Sequence, residues 1–103
     1  MITTEYLANG TLLIHANGRL DKDLVKEVGL LVFRSFHLGV TKFLLNLRGT
    51  THIDQDGYSK LALIEEGVLS KGGVWKMISP HALMLNQVLL RIWLLQLSPE
   101  NLN

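Results

Sequence analysis

The chain has 103 residues, of which 48% are apolar and 18% charged, with a formal net charge of +1 and no cysteine. That length supports one small core. The charge balance leaves no basic stripe for nucleic acid, and without cysteine there is neither a disulfide framework nor a thiolate zinc site, which fits a reducing cytoplasm.

Residues 2–7 form a weak strand pattern closed by Asn9-Gly10, the strongest short hairpin signal. Thr11 to Ala16 (TLLIHA) reads as the second strand and leads to Asn17-Gly18. Asp21 is placed to cap a helix whose Leu24, Val28, Leu31, Val32 and Phe36 recur at helical spacing, and Gly39 stops it. Lys42 to Leu47 (KFLLNL) is the nearly continuous apolar run of a strand covered on both faces or at the centre of a parallel sheet. A second helix starts near Gln55, with Leu61, Ile64, Val68 and Leu69 as its apolar stripe and Glu65 and Glu66 toward water, and it ends at Gly72-Gly73. Val74 to Ile78 is a strand, Ser79-Pro80 opens a short third helix, and Trp93 to Leu97 is the candidate last strand. The order β-β-α-β-α-β-α-β predicts an α/β fold in one domain, residues 1–103: a mixed sheet, an N-terminal hairpin followed by mainly parallel strands, packed with about three helices.

Strong chemical motifs are missing: there is no HExxH, GxSxG, P-loop or GxGxxG. His15, His37, His52 and His81 share no ligand spacing, so no metal site and no cofactor is expected. Ser70-Lys71-Gly72-Gly73 follows a helix and precedes a strand, the reverse of a phosphate loop, and reads as a helix stop. The stretch THIDQDGYSKL (51–61) places two carboxylates, Asp54 and Asp56, between a strand-like and a helix-like run. Acids at a helix start accept unpaired N–H groups and suit the positive end of the helix dipole. A catalytic pair would need a concave site and separated pKa values, and no nucleophile or oxyanion motif accompanies these two; the chain is not expected to be an enzyme.

Three stretches taken in order resemble the STAS domain of bacterial anti-sigma factor antagonists, over roughly residues 5–97. NGRLD (Asn17–Asp21) is similar to the family's Gly-x-Leu-Asp turn. FLLNLRGTTHIDQDGYSKL (Phe43–Leu61) is similar to its signature of strand, loop, Asp-Ser-Ser/Thr-Gly and helix. GGVWKMISPHALMLNQVLLRIWLLQL (Gly72–Leu97) is similar to its closing strand, helix and strand. The resemblance implies a non-enzymatic cytoplasmic module acting by partner switching. In the family, a serine kinase of the histidine-kinase-like ATPase type, itself the anti-sigma factor, phosphorylates the hydroxyl before the motif glycine. A phosphate adds about −1.5 to −2 charge at a helix start and blocks the contact. Carried over, Asp54 matches the motif aspartate, Gln55 the first serine, Asp56 the phosphoacceptor and Gly57 the glycine.

Asp56 is therefore the principal departure. It accepts no phosphate from a serine kinase and carries a permanent charge of about −1. Two readings stay open: a fixed mimic of the phosphorylated state, or a lost switch with a good helix-starting residue. Thr50, Thr51 and Ser59 are nearby hydroxyls that offer alternative acceptors, though none occupies the motif position. Asn46 stands where the family often has aspartate, Tyr58 replaces a leucine, and Leu90 a frequent glycine. The expected partner surface is His52, Asp54, Gln55, Asp56, Gly57, Tyr58 and Leu61, with Tyr58 supplying amphipathic contact area. The C-terminal quarter is too apolar for one helix stripe and one strand face. Leu89, Trp93 and Leu95 are thus candidates for a self-association surface, a homodimer or an obligate partner. That same greasy segment, with charged and polar interruptions and too short to span a bilayer easily, suits an alternative role: a small soluble STAS-like accessory subunit of a lipid-transport ATPase complex. MITTEYLANG lacks the pattern of a signal peptide.

Overall fold

The computed structural model describes residues 1–78. Their elements are strands β1 (Ile2–Tyr6), β2 (Leu12–Ala16) and β3 (Gly18–Leu20), helix α1 (Lys22–His37), strands β4 (Lys42–Asn46) and β5 (Thr50–Ile53), helix α2 (Gln55–Ser70) and strand β6 (Val74–Ile78). The expected third helix and last strand, with Leu89, Leu90, Trp93 and Leu95, lie outside the described residues.

A four-stranded sheet runs in the order β1-β2-β4-β6. β1 and β2 are the antiparallel hairpin expected at Asn9-Gly10, closed by Leu7 N–H donating to the Thr11 carbonyl at 2.9 Å, with Gly10 at φ 83°. β4 pairs parallel with β2 on one side and with β6 on the other. Alternation then decides the layers. Leu12, Ile14 and Ala16 of β2, Phe43 and Leu45 of β4 and Trp75 of β6 are buried together with Val25, Val28 and Val32 of α1 and Leu61, Ile64 and Val68 of α2. Both helices therefore cover one sheet face, as successive parallel crossovers of one hand require. Phe43 sits centrally, its ring 5.5 Å from that of Phe36 and 6.4 Å from that of Trp75.

Both helices are built by the same local chemistry. Asp21 and Asp54 are extended N-caps whose carboxylates accept from Leu24 N–H at 3.0 Å and Gly57 N–H at 2.7 Å. At the other ends Gly39 (φ 96°) and Gly72 (φ 80°) take the left-handed conformation that stops a helix. Val40 N–H returns to the Ser35 carbonyl at 3.0 Å, and Gly73 N–H to that of Val68 at 2.9 Å.

Four sequence expectations are corrected. Asn17-Gly18 and residues 50–53 are not plain connections: β3 and β5 form a second, two-stranded parallel sheet. Leu69 is 53% exposed rather than part of the core stripe. Glu65 is half-buried, and burial raises its carboxyl above the usual range, instead of facing water freely. The α1 stripe is also rotated slightly: Val25 joins Val28 and Val32 inside, while Leu24, Leu31 and Phe36 are only partly buried.

Candidate functional site

The stretch 51–61 lies across the junction of β5 and α2, and the small sheet is what positions it. Gly18 pairs with Thr50, Arg19 with His52 and Leu20 with Ile53, with a register shift between Gly18 and Arg19. Thr51 is the extra residue of that irregularity, so Thr51 and His52 both face outward while Thr50 and Ile53 are buried. Thr50 is 1% exposed, and its hydroxyl donates to the Ala16 carbonyl at 2.8 Å. This bond ties the small sheet to the end of β2, and it removes Thr50 from the accessible hydroxyls considered above.

Leu20 and Ile53 point into the core and set the first turn of α2 directly against β3. Gly57 makes that approach feasible. A Cβ there would stand 2.8 Å from the Leu20 carbonyl oxygen, 3.1 Å from an Asp54 carboxylate oxygen and 3.2 Å from the Ile53 side chain. Tyr58 N–H donates to the Asp54 carbonyl at 3.0 Å, completing the turn. The helix start is thus held by a half-buried aspartate, a glycine without space for a side chain, and two buried apolar residues.

Within this frame the expected site residues separate. His52, Gln55 and Asp56 are exposed and adjoin Thr51, Ser59 and Lys60, also exposed. Asp54 is the cap, engaged by Gly57 N–H, and Gly57 is buried. Leu61 is 4% exposed and belongs to the core, so it cannot meet a partner. Tyr58 is half-buried and packs against the core, and burial raises its phenol above the usual value. Its hydroxyl is buried with no hydrogen-bond partner among the described residues. The contact area expected from Tyr58 is therefore largely spent inside the molecule.

The two carboxylates have different surroundings: Asp54 is half-buried and accepts from Gly57 N–H, while Asp56 is exposed. Among the described residues no three His, Asp or Glu side chains are grouped to hold a metal ion, and no helix is long and apolar enough to cross a membrane.

A neighbouring polar chain was not legible beforehand. On the sheet face away from the helices, Asn46 Oδ1 accepts from Arg48 N–H at 3.0 Å, which leaves its Nδ2 to donate to His15 Nδ1 at 2.9 Å. His15 Nε2 then carries the proton toward Glu5 Oε1 at 3.0 Å. The register His15↔Asn46 brings these residues together across β2 and β4, and the chain leads into the loop before β5.

No protein-family model matches the chain, and no curated protein matches it in sequence. Solved structures do match. The anti-sigma factor antagonist SpoIIAA of Bacillus, in its unphosphorylated form, superposes with a TM-score of 0.68 at 18% identity, over 84% of this chain and 79% of that one. The STAS domain of an anti-sigma factor antagonist from Rhodobacter sphaeroides gives 0.61 at 13% identity, over 76% and 84%. Mglu gives 0.67 at 18% identity, over 77% of this chain but only 19% of its own length. The chain therefore has a STAS-like α/β fold, as the three sequence stretches led us to expect. Identities this low establish the fold alone, and the fold also occurs as a small part of a much longer protein.

Proposed function

We propose that the chain is a non-enzymatic protein-interaction module of bacterial partner-switching type, acting in the cytoplasm, and that it meets its partner with the β5–α2 junction. The observation that carries this reading is the exposed Asp56 on a helix start made rigid by Asp54 and Gly57. A switch surface needs that combination: one charge-bearing position in the open, on backbone that does not yield. The partner is a kinase of the histidine-kinase-like ATPase type, read from the likeness to anti-sigma factor antagonists. His52, Gln55 and Asp56 form the centre of the contact, in place of the wider set expected from sequence, since Leu61 is core and Tyr58 is turned largely inward.

Asp56 keeps about one negative charge where the resemblance places a hydroxyl, nearer to the phosphorylated than to the free state. The chain thus occupies one binding state permanently. Asp56→Ser tests this. Affinity capture with the wild-type and Asp56→Ser chains, followed by phosphate analysis, should show the variant holding the kinase more tightly than the wild type, or carrying a phosphoserine. Identical partners and no phosphorylation would reduce Asp56 to a helix-starting residue. Recovery of a transport ATPase or permease with both chains would assign the protein to the accessory-subunit role instead.

A further inference from the structure

Strand β1 ends the sheet order, and its pairing with β2 runs from Ile2↔Ala16 to Tyr6↔Leu12 without a bulge. Met1 and Asn17 exchange both backbone bonds at 2.9 Å, and Leu7 N–H donates to the Thr11 carbonyl. In an antiparallel ladder such exchanging pairs alternate with pairs whose backbone groups point away. The N–H and C=O groups of Ile2, Thr4 and Tyr6 are therefore directed out of the sheet, toward no strand among the described residues. Sheet edges are commonly blunted by proline, lysine or a bulge, and ITTEY has none of these. Its one charge, Glu5, is already engaged by His15. Thr3, Thr4, Glu5 and Tyr6 are all exposed, Tyr6 by 61%.

We propose that two copies of this chain pair through β1, antiparallel about a twofold axis at Thr4. The register follows from the backbone. With Thr4 facing Thr4, Ile2 of each copy faces Tyr6 of the other, and every outward N–H of residues 2, 4 and 6 meets an outward carbonyl. Moving the axis to residue 3 or 5 leaves the groups of one end unmatched, and an axis at residue 5 also sets Glu5 against Glu5. The side chains suit the central register: isoleucine against tyrosine is a favourable cross-strand pair, threonine faces threonine, and Glu5 faces Thr3. The interface is isologous and closed, and the sheet runs continuously through both copies. An extended peptide from another protein would use the same groups, but it need not be symmetric about Thr4, and this strand is.

The test uses the full chain. Sedimentation equilibrium over rising concentration should show the mass climbing from 11.6 kDa toward twice that value. Thr4→Pro removes one outward N–H without touching the β2 ladder, a place where an edge strand accepts proline. Thr4→Lys keeps the backbone and opposes two ammonium groups. Either should abolish the rise in mass. Because the chain has no cysteine, Thr4→Cys should oxidise rapidly to a covalent dimer: directly opposed bonded residues lie about 5.5 Å apart at Cα, within disulfide reach. Thr3→Cys, equally exposed but opposite Glu5, should cross-link many times more slowly. A monomer at every concentration, a dimer indifferent to Thr4→Pro and Thr4→Lys, or equal cross-linking of Thr3→Cys and Thr4→Cys would each overturn the proposal.

Discussion

The two helices begin with nearly the same words. α1 opens on Asp21-Lys22-Asp23-Leu24 and α2 on Asp54-Gln55-Asp56-Gly57. In each the first aspartate caps the helix by accepting from the residue three positions on, and the second lies exposed in the first turn. Asp23 has no part in any proposed contact, so an acid at this position is, by itself, ordinary helix chemistry. What distinguishes α2 is the fourth residue. Leu24 is a partly buried side chain, whereas Gly57 is a gap filled by the Leu20 carbonyl and the Ile53 side chain. A pair of acids does not distinguish the two helix starts; the close approach of β3 to Gly57 does.

The largest effect expected from breaking this difference is at Gly57. Gly57→Ala forces a Cβ against backbone and should lower stability by about 2 kcal/mol, in the range of overpacked positions. Gly67→Ala is the counter-test in the same helix. Its Cβ would lie 3.8 Å from Phe33, ordinary contact, so relief from glycine's helix penalty should raise stability by up to about 1 kcal/mol. Opposite signs in urea unfolding are the expected result, and equal signs would mean that α2 does not rest on β3 as described.

The two caps should behave alike. Asp21→Ala and Asp54→Ala each lose one N-cap bond and should cost about 1 kcal/mol. A much larger loss at Asp54 alone would show that the small sheet depends on that carboxylate as well.

A smaller effect separates the helices by pH. Burial raises the Glu65 carboxyl above its unfolded value, so the folded state holds that proton longer and stability falls as pH rises from the ordinary carboxylate value through the raised one. Glu65→Gln should therefore raise the melting temperature at neutral pH and leave it nearly unchanged in acid below that window. An equal shift at both pH values would locate the effect in packing.

Asp23→Ser and Asp56→Ser should be the mildest for stability, a few tenths of a kcal/mol each, as for single charges near a helix start. Only the second should alter partner capture. If both alter it, or neither, the asymmetry between the two helix starts is not functional.

Much of this was legible in the sequence for local reasons. Asp21 and Asp54 cap, Gly39 and Gly72 stop, and Asn9-Gly10 turns because these residue types satisfy backbone groups within a few positions of themselves. The buried run around Phe43 and Leu45 identified a central strand for a similar reason, since few polar residues interrupt it. The small sheet was not legible. Strands of three and four residues carry too little periodicity to register, and β3 and β5 exist only because each finds the other. The polar chain from Glu5 through His15 to Asn46 depends in the same way on three strands being side by side.

By itself, then, the sequence determined the two described helices, their ends, the hairpin and the position of an aspartate where the domain it resembles has a hydroxyl. Side-chain direction at the β5–α2 junction was decided only by tertiary structure: Leu61 and most of Tyr58 go inward, Thr50 locks onto β2, Gly57 yields its space to β3, and His52, Gln55 and Asp56 remain outside. The physical reason is range. Caps and turns are settled by neighbours along the chain, whereas which face of a helix's first turn meets solvent is settled by what packs against it.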